Sequence, residues 1–430
     1  MNDGTSGKKH FGAAAWAIYD VGHTAFSMIV LAVMFPILFN EHWSASLPEP
    51  SDKTFWYSLT LATASVLVAA LSPLLAVVAQ RGGLRMKFFR ALAGTGIVGM
   101  AALALVGEGL WQGASLIYVV AAVGFFGANL FYDSLLLDVA APERRHVVSG
   151  VSFSLGYLGG VLLLGGIFAW TKFLGTEHGV EPLFVLGAAW WLAFALPLLM
   201  RRETAPTPGV PADASGTRSA LAALRETCVA FWRERRVRWF MLAYFCYIDG
   251  VHTIITSAVR YGNALGFSRE DLFLALFIVQ IFGVPCAVIF GGLGRIFGAK
   301  PVLFAALSIY VGVAFYGAMM PAGTVELCGL SVSPMFVLAA LIGMVQGGVQ
   351  ALSRSFFATL VPAGREVSFF GFYCMIGRCS TILGPLILAG IAAALPAGDD
   401  GLFSTRAGIA ALTLLFVAGM LLLAKVGKKN

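Results

Sequence analysis

Twelve long apolar stretches divide this chain, and they leave little freedom in what it can fold into. They run over residues 12–39, 55–79, 88–107, 114–139, 146–170, 182–200, 237–261, 270–294, 300–320, 333–360, 367–395 and 402–425. Crossing a bilayer core takes about 20 mostly apolar residues of helix. The stretches are continuous rather than alternating in polarity, so they read as helices and not as the strands of a barrel. Only 12% of the residues are charged and 59% are hydrophobic, against about 25% charged in a soluble domain. A water-soluble fold of this size is excluded, and the 50 Gly suit helices that approach closely in lipid. The expected fold class is an all-α polytopic membrane protein. Its first stretch is too long for the core of a signal peptide and reads as a retained helix.

Basic residues gather in alternate loops. Positive loops stay cytoplasmic, which places both termini inside with Lys8, Lys9, Arg85, Lys87, Arg144, Arg145, Arg295 and Lys300; the opposite side keeps Lys53, Lys172, Arg269 and Arg406. The net charge of +7 is thus a topological signal and implies no nucleic-acid partner. The cysteines are scattered without a CxxC pair, which points to neither a disulfide framework nor a zinc site.

Residues 201–236 form the one long polar stretch, a cytoplasmic linker between an N-terminal six-helix bundle, 1–200, and a C-terminal one, 237–430. Its basic end suits an amphipathic helix on anionic lipid or a purely topogenic role. The halves repeat one another. Asp20-Val-Gly-His23-Thr24 in the first helix returns as Asp249-Gly-Val-His252-Thr253 in the seventh; Gly150 and Gly156 in the fifth return as Gly371 and Gly377 in the eleventh; Pro142 returns as Pro362. Two pseudo-symmetric six-helix halves with a solute site between them near the midplane are the plan of the major facilitator fold.

Ionisable groups inside hydrocarbon are costly and mark function or pairing. The candidates are Asp20, His23, Asp133, Asp249, His252 and Arg378. Residues three and four apart share a helix face, so Asp20, His23 and Thr24 form one polar stripe and Asp249, His252 and Thr253 another. Three readings fit this doubled stripe. It carries a coupling proton, with Asp and His exchanging it; it binds a transition metal through two imidazoles and two carboxylates, Asp20, His23, Asp249 and His252; or each Asp bonds its own His and a neighbouring helix. Arg378 either clamps an anionic group of the solute or neutralises a buried Asp. Asp133 suits a gate or a packing role, and Tyr19 is among the aromatics placed to line a cavity. Gly384-Pro385 suggests close helix packing. No phosphate-binding loop and no nucleophile–base set is present in the sequence, so no cofactor and no enzymatic activity are expected; the alternative of another class is a membrane-embedded enzyme using the Asp and His pairs.

Four segments, AIYDVGHTAF, FYDSLLLDVAAPERRHVVSGVSFSLGYLGG, IDGVHTII and GGVQALSRSFFATLVPAGREVSFFGFYCMIGR, resemble the vacuole-effluxer branch of the major facilitator superfamily, which includes fungal autophagy-related amino-acid effluxers and bacterial relatives. The resemblance implies a secondary transporter of a small solute, amino-acid-like or an organic anion, working by alternating access as a monomer in a bacterial inner membrane. Departures are Val21, where relatives usually have Trp, and His23 and His252, where they have Asn-like residues. The superfamily's loop after the second helix carries an acidic residue, then glycine and basic residues. Here Gln80 takes the acidic place, followed by Arg85, and the counterpart after the eighth helix has Arg295. These three are the implied cytoplasmic gate, expected to be held less tightly for want of the acid.

Overall fold

The computed structural model describes residues 3–174, 179–201, 217–321, 323–327, 330–395 and 402–427. Among them, twelve helices are long and apolar enough to cross a membrane: α1 Gly12–Trp43, α2 Pro50–Gln80, α3 Arg85–Leu105, α4 Trp111–Val139, α5 Pro142–Phe173, α6 Pro182–Leu199, α7 Arg235–Ala264, α8 Glu270–Phe297, α9 Ala299–Ala318, α10 Pro334–Leu360, α11 Glu366–Ala394 and α12 Phe403–Ala424. Each expected stretch is there. Several helices outrun their apolar run, because winding does not stop where hydrocarbon ends; α7, for example, opens on Arg235 and Arg236.

Local chemistry sets the irregularities. α1 widens over Phe26–Met34 just before Pro36, where the missing N–H and the ring's clash with the preceding turn disturb the hydrogen-bond ladder. Ser268 caps α8: its Oγ accepts from Asp271 N at 3.1 Å and satisfies one of the helix's orphan donors. Between α9 and α10 a hairpin absent from the sequence reading pairs Val325–Leu327 with Leu330–Val332 in antiparallel register, Val325 opposite Val332. Of the expected linker, residues 202–216 lie outside the described residues, as do Lys428 and Lys429; Thr217–Arg233 is helical.

The chain divides into two compact units. The first comprises Met1–Pro142, Leu155–Val229 and Val361–Arg378; the second comprises Glu143–Ser154, Ala230–Leu360 and Cys379–Asn430. Each unit takes in one helix end from the other half of the sequence, and a repeated glycine permits each exchange. In the second unit, a Cβ at Gly150 would stand 2.5 Å from the Ala287 carbonyl and 3.0 Å from Gly291 Cα. In the first, a Cβ at Gly371 would stand 2.5 Å from Ala76 Cβ and 3.0 Å from the Ser72 carbonyl. A side chain at either place would hold two backbones apart. The first unit's core is aromatic, with Trp16, Tyr19, Phe89, Phe131, Tyr132 and Trp191 all fully buried.

Candidate functional site

In the first unit, α1 presents Trp16, Tyr19, Asp20 and His23 along one face. The Trp16 indole donates to the Tyr132 carbonyl at 2.8 Å and its ring stacks on the Tyr132 ring at 4.6 Å. Tyr19 packs against Tyr132 at 4.7 Å and Phe89 at 5.3 Å, while the His23 imidazole stacks on Phe125 at 4.1 Å and meets Trp191 edge-on at 5.9 Å. Asp20 and Asp133 are each 8% exposed, and both lie within electrostatic reach of the Tyr19 hydroxyl. That hydroxyl faces the Trp191 indole without a well-formed hydrogen bond. Tyr19, Asp20, His23 and Asp133 are therefore brought together, as their positions on the first and fourth helices imply. Thr24 spends its hydroxyl on the Asp20 carbonyl, 2.8 Å away, and Gly156 packs over both.

Arg378 belongs to the same unit although it lies in the other half of the sequence. Its guanidinium sits 3.9 Å from the centroid of the Phe126 ring, a cation–π contact worth about 0.5–2 kcal/mol according to its desolvation. Arg378 and Asp133 both lie within electrostatic reach of Cys374, whose thiol meets Ser72 Oγ at 3.4 Å. An exchanged helix end thus carries a permanent cation to the unit that holds Asp20 and Asp133.

In the second unit the repeated motif has a different fate. Asp249 is fully buried and its carboxylate accepts from Leu383 N at 2.7 Å, Gly384 N at 2.9 Å and Thr253 Oγ1 at 3.2 Å. His252 follows on the same helix, half-buried. A four-ligand metal set would need both Asp–His pairs; among the described residues no group of three or more His, Cys, Asp or Glu is placed to hold a metal.

At the expected gate, Gln80 is fully engaged within the first unit. Its Nε2 donates to the Gly364 carbonyl at 2.9 Å, and its Oε1 accepts from Val367 N at 2.9 Å and Ser368 N at 3.2 Å. The amide caps the first turn of α11, where an acid would accept the same N–H groups but could not donate to Gly364. Arg85 pairs with Asp138, and Arg295 is exposed at the end of α8.

The sequence reading missed a polar seam in the second unit, between the first turns of α5 and the last turns of α10. Arg354, 3% exposed, donates through Nε to Ser149 Oγ at 3.1 Å and through Nη2 to the Ser149 carbonyl at 3.3 Å, and lies 4.5 Å from the centroid of Phe153. His146 Nδ1 bonds Ser355 Oγ at 2.8 Å, Ser149 Oγ donates to the Ala351 carbonyl at 2.8 Å, and Arg145 donates to the Ala358 carbonyl at 3.2 Å. The signal lies in two polar runs at helical spacing, Arg145, His146 and Ser149 facing Arg354 and Ser355.

Residues 51–430 match the sequence profile of the family described as Vacuole effluxer Atg22 like. The chain is 32% identical over 425 residues to an uncharacterized MFS-type transporter, YxiO, of Bacillus subtilis (strain 168), covering 97% of this chain and 95% of that one. Autophagy-related protein 22 of Coccidioides immitis (strain RS) is 28% identical over 277 residues, 60% of this chain but only 46% of the fungal protein. Among solved structures, the human organic anion transporter MFSD10 (TETRAN) superposes with a TM-score of 0.71 at 15% identity over 97% of this chain and 99% of that one. FucP in the outward conformation gives 0.70 at 11% identity, covering 98% and 99%. Identities this low speak for the fold alone. With a profile match over most of its length and an end-to-end bacterial relative, the chain belongs to the Atg22-like vacuole-effluxer family and has the twelve-helix major facilitator fold.

Proposed function

We propose that the protein is a secondary active transporter of a small solute, amino-acid-like or an organic anion, that works by alternating access, draws on protons taken up at Asp20 and Asp249, and acts as a monomer in a bacterial cytoplasmic membrane. The observation that carries the reading is the first unit's gathering of Asp20, Asp133 and Tyr19 with Arg378, a permanent cation on a helix end from the other half of the sequence. Buried carboxylates in a membrane helix are typical proton relays, and the planar N–H fork of a guanidinium matches a solute carboxylate in geometry and charge. Solute movement is in keeping with the similarity to an MFS-type transporter of Bacillus subtilis and with the fold shared with an organic anion transporter.

The test is purified protein in liposomes with an imposed pH gradient, screened against amino acids and organic anions. Accumulation above the equilibrium level that collapses when a protonophore is added is the expected result. Solute movement indifferent to the gradient would remove the proton from the mechanism, and movement of no solute in either class would remove the substrate assignment.

A further inference from the structure

α11 is two helices in succession along the chain. Glu366–Cys379 and Leu383–Ala394 are separated at residues 380–382, and the division between the two compact units falls beside that break, between Arg378 and Cys379. Pro385 supplies the cause. Its ring collides with the carbonyl four residues earlier, at Thr381, and it has no N–H to return, so a continuous helix is interrupted there while a new one starts comfortably. A helix that restarts inside hydrocarbon leaves its first N–H groups bare, at several kcal/mol each. Asp249 meets that need. Its carboxylate takes the N–H groups of Leu383 and Gly384 and is approached by that of Ile382. A Cβ at Gly384 would overlap Thr253 Oγ1 and stand 2.8 Å from Asp249 Oδ1, so only glycine admits the carboxylate so close.

The hydrogen-bonding groups directed at this carboxylate are all donors: α11 contributes three backbone N–H groups and α7 the Thr253 hydroxyl. From α12 the Phe416 ring packs on the neighbouring Gly250. The titratable neighbours on α7 itself are Cys246, near enough to feel the charge, and His252. A protonated carboxyl would bring one more donor into a ring of donors, and one N–H would lose its acceptor. In the first repeat Thr24 bonds the Asp20 backbone carbonyl, and α5 runs unbroken over Arg145–Ala169.

We infer that Asp249 is a latch: as a carboxylate it holds Leu383–Ala394 onto α7, and on taking up a proton it releases that segment about a hinge at residues 380–382. The part this plays in transport rests on the proton-coupled reading above; the latch itself does not.

Hydrogen exchange by mass spectrometry on the full-length protein in detergent tests it. The amides of residues 382–384 in wild type are expected to exchange roughly tenfold or more faster at about pH 5 than at about pH 8, after correction for the intrinsic rate. Asp249→Asn is expected to exchange fast at both pH values. Gly384→Ala keeps the carboxylate but wedges the helices apart, and is expected to exchange fast throughout. Corrected wild-type rates that do not change with pH would overturn the latch, and that measurement needs no variant to fold. Exchange of folded Asp249→Asn at the wild-type rate would also overturn it. Uphill transport separates the two readings: a variant that frees the segment yet still accumulates solute keeps the latch and removes Asp249 from coupling. Loss of coupling with unchanged exchange does the reverse.

Discussion

A guanidinium resting 3.9 Å from the centre of the Phe126 ring uses its flat face, and lysine has none. Arg378→Lys should therefore keep the charge and lose both the stacking and the two-pronged grip on a carboxylate. Solute affinity is expected to fall roughly tenfold with little change in melting temperature, as read by isothermal titration beside a thermal-shift control; unchanged affinity would make Arg378 a packing residue. Gln80 argues for a second single-residue prediction. Gln80→Ala strips the acceptor from Val367 and Ser368 and the donor from Gly364, and losing a helix N-cap costs about 1 kcal/mol. Faster exchange of those two amides is the expected sign. Here the sequence stopped short for a physical reason. It identified Gln80 by what it lacks, a charge, whereas its three bonds reach nearly 290 residues along the chain and no local spacing reports them.

Among the elements, α5 and α8 approach through glycines, with Gly150 against Gly291. A Cβ at Gly294 would lie 3.4 Å from His146 Cβ, close to the Cβ separation of about 3.5–4.5 Å in disulfides. With the native cysteines replaced, His146→Cys combined with Gly294→Cys should cross-link readily under mild oxidation. Adding Gly150→Val should suppress the bond, since the new side chain would strike the Ala287 carbonyl; a mobility-shift assay scores both. The length of each apolar run sufficed to find the twelve spanning helices among the described residues, because lipid demands it of each one separately. The sequence also exposed Gly150 and Gly371 as a repeat. What these glycines touch was hidden, since a missing side chain records that something comes close but not what. Gly384-Pro385 was likewise visible as a packing motif, while the break it causes and the carboxylate that mends it are properties of two helices together.

For the molecule as a whole, the arrangement of Lys and Arg sets the orientation to be checked. Reporter fusions after Lys53, Lys172 and Arg406 should all read as external, and a cytoplasmic signal from two of them would reverse the topology. The proton reading adds a second whole-molecule prediction. Asp20→Asn and Asp249→Asn, made singly, should each abolish accumulation against a gradient while leaving counterflow exchange partly intact, because a neutral amide no longer ties movement to pH; accumulation at the wild-type level in the double variant would end that reading. The two Asp residues looked interchangeable in the sequence, and the repeat is real at the level of the motif. Their surroundings differ because one neighbouring helix is whole and the other is broken, a distinction that D-x-x-H-T cannot encode.

The exchanged helix ends bear on how such a protein is made. Translation completes the first six spans before the seventh exists, yet the first unit still lacks Val361–Arg378, and Glu143–Ser154 waits for a unit not yet synthesised. Gene fragments split in the linker should therefore behave as obligate partners. Residues 1–216 produced alone would leave the seam-forming face of α5 and the Gln80 amide without their counterparts, and residues 217–430 would leave α11 unanchored at its start. Each fragment is expected to be cleared by membrane proteases when expressed singly and to persist only when both come from the same cell.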